Sequence, residues 1–220
     1  MIDLTSLLQD KPIKGNYFSP DAYVRSDVEF GLLENRGGSR LLALPETLLQ
    51  GLFIGLEEEL GPSAGIVLFG CGQWWGKNLY RRFAEELENY YGQPLARMEM
   101  IEFLQSLKEC WKTHGWGTLD IDLKYYQQGF LLLKNVNSPF IEAAPKGKQM
   151  MGHLEAGIFS GFFSRLTGMT LHCVQTSCES LGADANYFVV GLADRLKPVN
   201  AWLEEGHDRA TIMELLCRNQ

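Results

Sequence analysis

The stretch GHLEAGIFSGFFSRLTGMTLHCVQTSCESLGADANYFVVG, residues 152–191, sets the architecture. Its first part, residues 153–166, is apolar and punctuated by Gly157 and Gly161, which reads as a helix. Residues 169–178 then alternate between apolar and polar, the period of a strand. Cys178-Glu-Ser-Leu-Gly182 makes a tight turn, and Asn186-Tyr-Phe-Val-Val190 supplies a second alternating strand.

Upstream, residues 119–123 alternate Leu119, Ile121 and Leu123 with Asp120, Asp122 and Lys124, a strand with one wet face. Residues 129–136 answer it as the other arm of a hairpin. Residues 138–149, with two prolines and two lysines, read as a surface loop. Three helices come earlier. Residues 46–60 follow Pro45 and stop at Gly61; residues 63–91 stop at Gly92; residues 97–114 carry Met98, Ile101, Leu104, Leu107 and Trp111 on one face. Asn35-Arg-Gly-Gly38 sits between two short apolar runs and predicts a hairpin turn. A short helix is expected over residues 2–9, then an irregular arm broken by Pro12, Gly15 and Pro20. Two short helices close the chain. The order gives an α+β fold, an antiparallel sheet of about four to five strands packed against a helical layer. The expected organisation is an arm (residues 1–26), one domain (27–192) and a helical extension (193–220).

Composition narrows the function. With 45% hydrophobic and 21% charged residues among 220, the chain suits a soluble domain with a sizeable core. A net charge of −7, with no basic stripe, argues against nucleic-acid binding. Its apolar runs are far short of the roughly 20 residues a membrane span needs. Met1-Ile-Asp-Leu lacks the basic start and apolar core of a secretory leader. Five irregularly spaced cysteines fit reduced thiols, so a cytoplasmic setting is expected.

Residues 40–45 (RLLALP), Gly70-Cys-Gly72 with Gly76, Gly157 and Gly161, and Cys178 with Gly182 and Tyr187-Phe188 together resemble the 4-vinyl reductase domain family, of a cyanobacterial type. That family is similar in fold to small subunits of the TRAPP vesicle-tethering complex. The resemblance spans about residues 27–190. It implies an apolar pocket for a small hydrophobic ligand, with a tetrapyrrole (a chlorophyll precursor or bilin) as candidate cofactor. It further implies a role in photosystem assembly, assembly partners and a position at the periphery of the thylakoid membrane. The family places one cysteine at the start of the glycine-rich helix and two around the final turn. This chain has Gly152-His153, Cys178 and Asn186 there, and Gln175-Thr176 where an acidic residue is usual.

Each candidate site feature has a functional and a structural reading. Glycine inside a helix costs about 1 kcal/mol relative to alanine, so Gly157 and Gly161 serve either close packing or the approach of a flat ligand. Phe69, Trp74 and Trp75 crowd Gly70, Gly72 and Gly76, forming either the walls of an apolar slot or a core or dimer face. Phe159, Phe162 and Phe163 are not expected all to face inward, so one should meet the surface. His153 reads as an axial ligand to a tetrapyrrole metal or as a buried histidine. His172 and Cys178, expected on one face of a strand, are weak metal candidates, because no fourth donor and no C-x-x-C spacing accompany them. Phe69, Gly72, Trp74, Trp75, His153, Gly157, Phe159, Gly161, Phe162 and Cys178 are the expected ligand-binding residues. No nucleophile elbow, P-loop or dinucleotide fingerprint is present, and no catalytic residue is assigned. The alternatives to ligand binding are a homodimeric scaffold with a vestigial pocket and a tetrapyrrole vinyl reductase.

Overall fold

A computed structural model of the protein describes residues 15–144 and 150–218. The helix expected over residues 2–9 and part of the loop expected over residues 138–149 lie outside these. The chain opens with α1 (Pro20–Tyr23) and a meander of β1 (Val24–Asp27), β2 (Leu32–Asn35) and β3 (Arg40–Leu41). Three helices follow: α2 (Glu46–Leu60), the 28-residue α3 (Ala64–Tyr91) and α4 (Met100–Thr113). Then come β4 (Thr118–Asp122), β5 (Leu131–Val136), short α5 (Pro139–Glu142) and α6 (His153–Thr167). After them lie β6 (Leu171–Ser177), β7 (Asn186–Leu192) and the closing helices α7 (Ala193–Leu196), α8 (Val199–Glu204) and α9 (Arg209–Arg218).

Strands β4 to β7 form one antiparallel sheet in the order β4-β5-β7-β6, so the fold is the α+β architecture expected. Alternate side chains of β7 enter two different cores. Phe188 and Val190 join Phe159 and Phe162 of α6, Phe83 of α3 and Trp111 of α4. Tyr187 and Val189 join Leu196, Val199, Ile212, Met213 and Leu216 of the closing helices. The C-terminal extension is therefore a second helical layer, and β7 is buried along both faces from Asn186 to Gly191. Each large apolar side chain so enclosed contributes about 1.5–3 kcal/mol.

Three local expectations change. The meander has a third strand, β1, inside the segment read as an arm, and that segment places Tyr17, Phe18 and Tyr23 in the main core. β1 (VRSD) is exposed throughout, so it carries no alternating signal. The loop after β5 contains α5, started by Pro139 at a first-turn position and anchored by buried Phe140 and Ile141. Among the described residues no helix is long and apolar enough to cross a membrane.

Candidate functional site

The glycines of α3 and α6 face one another. A Cβ built on Gly157 would stand 2.9 Å from Gly72 Cα and 3.0 Å from Gln73 N, and nearer still to the Phe69 carbonyl oxygen. On Gly161 it would meet the backbone of Gln73 and Lys77; on Gly72 and Gly76, the backbone of α6. The two helices thus touch main chain to main chain. Close packing, the structural alternative for Gly157 and Gly161, occupies the bare faces, and no ligand lies between them.

This crossing buries α6 between α3 and the sheet, so Phe159, Phe162 and Phe163 all face inward, contrary to the expectation that one would be exposed. Phe159 stacks on Trp111 at 4.9 Å and meets Phe188 edge-on at 5.2 Å. Phe162 sits between Tyr80 and Phe83. The His153 ring presses on Gly65, 2.9 Å from where its Cβ would be, and burial lowers its pKa. Phe69 packs on His172 at 4.7 Å. All these expected ligand residues are core or helix-contact residues.

The positions where the resemblance implies cysteines do converge, through amides. The Gly152 N–H donates to Gln175 Oε1 at 2.8 Å, and Gln175 Nε2 to Asn186 Oδ1 at 3.4 Å. Asn186 Nδ2 donates to Glu179 Oε2 at 2.5 Å, and the Glu179 N–H returns to Asn186 Oδ1 at 3.0 Å. Cys178 is buried with its Sγ 2.9 Å from Ser180 Oγ. A bulge between Gln175 and Ser177 breaks the simple alternation expected from His172 to Cys178. Among the described residues no group of three or more His, Cys, Asp or Glu could hold a metal ion. Nearby, Glu155 in the first turn of α6 is fully buried, accepting from Asn135 Nδ2 at 2.6 Å and Ser138 Oγ at 2.8 Å. Burial pushes its carboxyl up to about 7 despite those two donors.

The largest cavity lies elsewhere. A cleft of about 960 Å³ opens between α3, the end of α4, and the wall formed by β2, β3 and the loop after them. Trp75 and Trp116 meet edge-on at 5.1 Å along it, Phe140 closes one end, and Trp74 stands 70% exposed at the rim. Of the expected ligand residues, Trp74 and Trp75 line this cleft and the other eight do not.

Its floor is polar. Glu86 of α3 accepts from Asn35 Nδ2 at 2.5 Å, and the Tyr23 hydroxyl lies 3.5 Å from its other oxygen. The same hydroxyl lies 3.3 Å from His114 Nε2. His114 Nδ1 is 2.7 Å from the Cys110 carbonyl, which only accepts, so Nδ1 carries the hydrogen and Nε2 of the neutral ring is an acceptor. Burial raises the Glu86 pKa, with the bonds from Asn35 and Tyr23 opposing, and lowers that of His114. Burial, then the Glu86 charge, pushes Tyr17 up to about 12 and Tyr23 higher still. Sequence reasoning misses Tyr23, Asn35, Glu86 and His114. The available signal is the aromatic cluster Tyr17, Phe18 and Tyr23 in a segment otherwise read as irregular.

The fold is similar to that of the phenol-responsive sensory domain of the transcription activator PoxR, solved with phenol. The identity is 13% and the TM-score 0.67, covering 89% of this chain and 97% of that one. It is also similar to trafficking protein particle complex subunit 3 from Naegleria fowleri, solved covalently bound to palmitic acid. There the identity is 15% and the TM-score 0.51, over 67% of this chain and 94% of that one. A vinyl-4-reductase family protein from Methanocaldococcus jannaschii aligns at 19% identity and a TM-score of 0.46, over 68% and 82% of the two chains. At these identities the likeness is one of fold. No curated protein sequence matches the chain. Over residues 133–192, from within β5 to the end of β7, the chain matches the model of the 4-vinyl reductase domain, the family that its glycines and aromatics resemble.

Proposed function

We propose that this chain binds a small, flat, hydrophobic molecule in the tryptophan-walled cleft, and that it senses or delivers that molecule. The observation that carries the reading is the cleft, whose volume of about 960 Å³ falls at the upper end of ligand sites. It combines apolar walls with a few convergent polar groups, the usual make-up of such sites. Two proteins of similar fold were solved with small molecules, phenol in one and palmitic acid in the other.

For the ligand we propose a tetrapyrrole, a chlorophyll precursor or bilin, handled at the thylakoid periphery during photosystem assembly. The support is the resemblance to the 4-vinyl reductase domain together with three indoles, Trp74, Trp75 and Trp116, whose faces suit a planar macrocycle. The experiment is titration with biliverdin and with protoporphyrin IX, followed by pigment absorbance and quenching of tryptophan emission. Saturable binding weakened by Trp75→Ala is expected. No saturable change with either pigment retires the tetrapyrrole assignment.

A homodimeric scaffold is the second reading, favoured by an apolar surface. Leu48 and Leu52 of α2, Ile66 and Trp74 of α3, and Phe30 and Leu42 of the meander are all exposed. Light scattering behind size-exclusion chromatography tests it, and a strictly monomeric protein at high concentration removes it.

A further inference from the structure

The floor of the cleft holds more hydrogen-bond acceptors than donors. Asn35 Nδ2 has two hydrogens, directed to Glu86 Oε1 at 2.5 Å and to the Tyr23 hydroxyl oxygen at 3.3 Å. Tyr23 has one hydroxyl hydrogen and two acceptors facing it, Glu86 Oε2 at 3.5 Å and His114 Nε2 at 3.3 Å, so one of them goes without. The neighbouring Tyr17 hydroxyl supplies at most one hydrogen more to Glu86. Against these stand about four lone-pair positions on an ionised carboxylate and one on His114 Nε2. The two contacts of the Tyr23 hydroxyl hydrogen are also long, so a better donor arriving at the floor displaces no strong bond.

We infer that the cleft selects a flat aromatic ligand carrying an O–H or N–H group, and that this group donates to Glu86 or to His114 Nε2. The inference rests on the cleft being a ligand site. The donor is a neutral one, because Arg40, Arg81 and Arg82 line the same cleft against Glu46 and Glu86, which disfavours a cation. Phenolic hydroxyls and pyrrole N–H groups have the required chemistry. Glu86 and His114 are then the residues that set specificity, while the tryptophans set shape.

The test uses 1-naphthol and 1-methoxynaphthalene, which share a ring system and differ in the presence of a donor. Both are titrated by their own fluorescence at pH 7 against the wild-type chain, Glu86→Gln and His114→Leu. The ether is the more hydrophobic probe, so indiscriminate partitioning favours it. The expected result is about tenfold tighter binding of 1-naphthol to the wild type. That preference should shrink several-fold in at least one variant, with the ether's affinity unchanged. Equal affinities for the two probes in the wild type overturn the inference and leave the ligand cleft standing. Absence of saturable binding by either probe overturns both. A preference that persists undiminished in both variants places the acceptor elsewhere and overturns the assignment to Glu86 and His114. Urea melts establish that each variant is folded, and if Glu86→Gln is not, His114→Leu decides.

Discussion

Replacing Gly157 by alanine tests the helix crossing on which the fold depends. The added Cβ would lie 2.9 Å from Gly72 Cα and 3.0 Å from Gln73 N, and nearer still to the Phe69 carbonyl oxygen. All three are main-chain atoms of α3, so no rotamer change relieves the clash. The helices must move apart by several tenths of an ångström or more, loosening contacts at Gly72, Gly76 and Gly161 at the same time. Overpacking of this kind costs about 1–3 kcal/mol, and the rigidity of the obstacle puts it at the upper end. Alanine's better helix propensity returns about 1 kcal/mol. The net is a destabilisation of about 2 kcal/mol, or about 4–8 °C in Tm for a chain of this length. Gly70→Ala is the control, because that glycine is exposed in the same helix with nothing within 4 Å of its Cβ position. It should be neutral or stabilising by up to about 1 kcal/mol. Urea melts and thermal unfolding by circular dichroism measure both. A Gly157→Ala protein as stable as Gly70→Ala would refute the main-chain contact.

Other outcomes follow from particular residues. Glu155 has a folded pKa of about 7 against 4.5 for an ordinary glutamate, so the folded state holds its proton more tightly. Its contribution is fully present below about pH 4.5 and is lost as pH rises through 7, a change of roughly 3 kcal/mol. Urea melts from pH 5 to 8 should show that slope in the wild type and a flatter one in Glu155→Gln; identical slopes would dismiss it. Asn35→Ala leaves Glu86 without its shortest donor at the cleft floor, so a loss of about 1–3 kcal/mol is expected in the same melts, and an unchanged midpoint would contradict it. If the exposed apolar strip holds a second copy, Leu52→Arg should shift a dimer to monomer in light scattering, while a dimer that survives places the interface elsewhere.

Much of the frame is readable from the sequence because its signals are local. Residues 152–191 announce helix, strand, turn and strand through period and glycine placement, and each appears where the pattern puts it. Gly157 and Gly161 are equally visible, but whether their bare faces meet a ligand or a helix depends on Gly72 and Gly76, far upstream in the chain. Spacing alone does not reveal such a partner. The cleft is harder still. Its floor joins Tyr23, Asn35, Glu86 and His114, four residues far apart in sequence and each ordinary in its local context. Asn35 reads as a turn residue, Glu86 as a solvated helix charge and His114 as the last residue of a helix. The depth of burial of the three phenylalanines of α6 escapes the pattern because a helix enclosed by another helix and a sheet has no wet face.

The cleft takes most of its lining from residues that precede the stretch matching the 4-vinyl reductase domain model; Pro139, Phe140 and Leu154 are the lining residues within it. Framework and chamber are thus written in different parts of the chain. Proteins nearly alike across the matched stretch are free to enclose unlike guests. Retuning this one for a new cargo calls for rewriting the meander and the cleft-facing side of α3 while leaving the glycine seam alone.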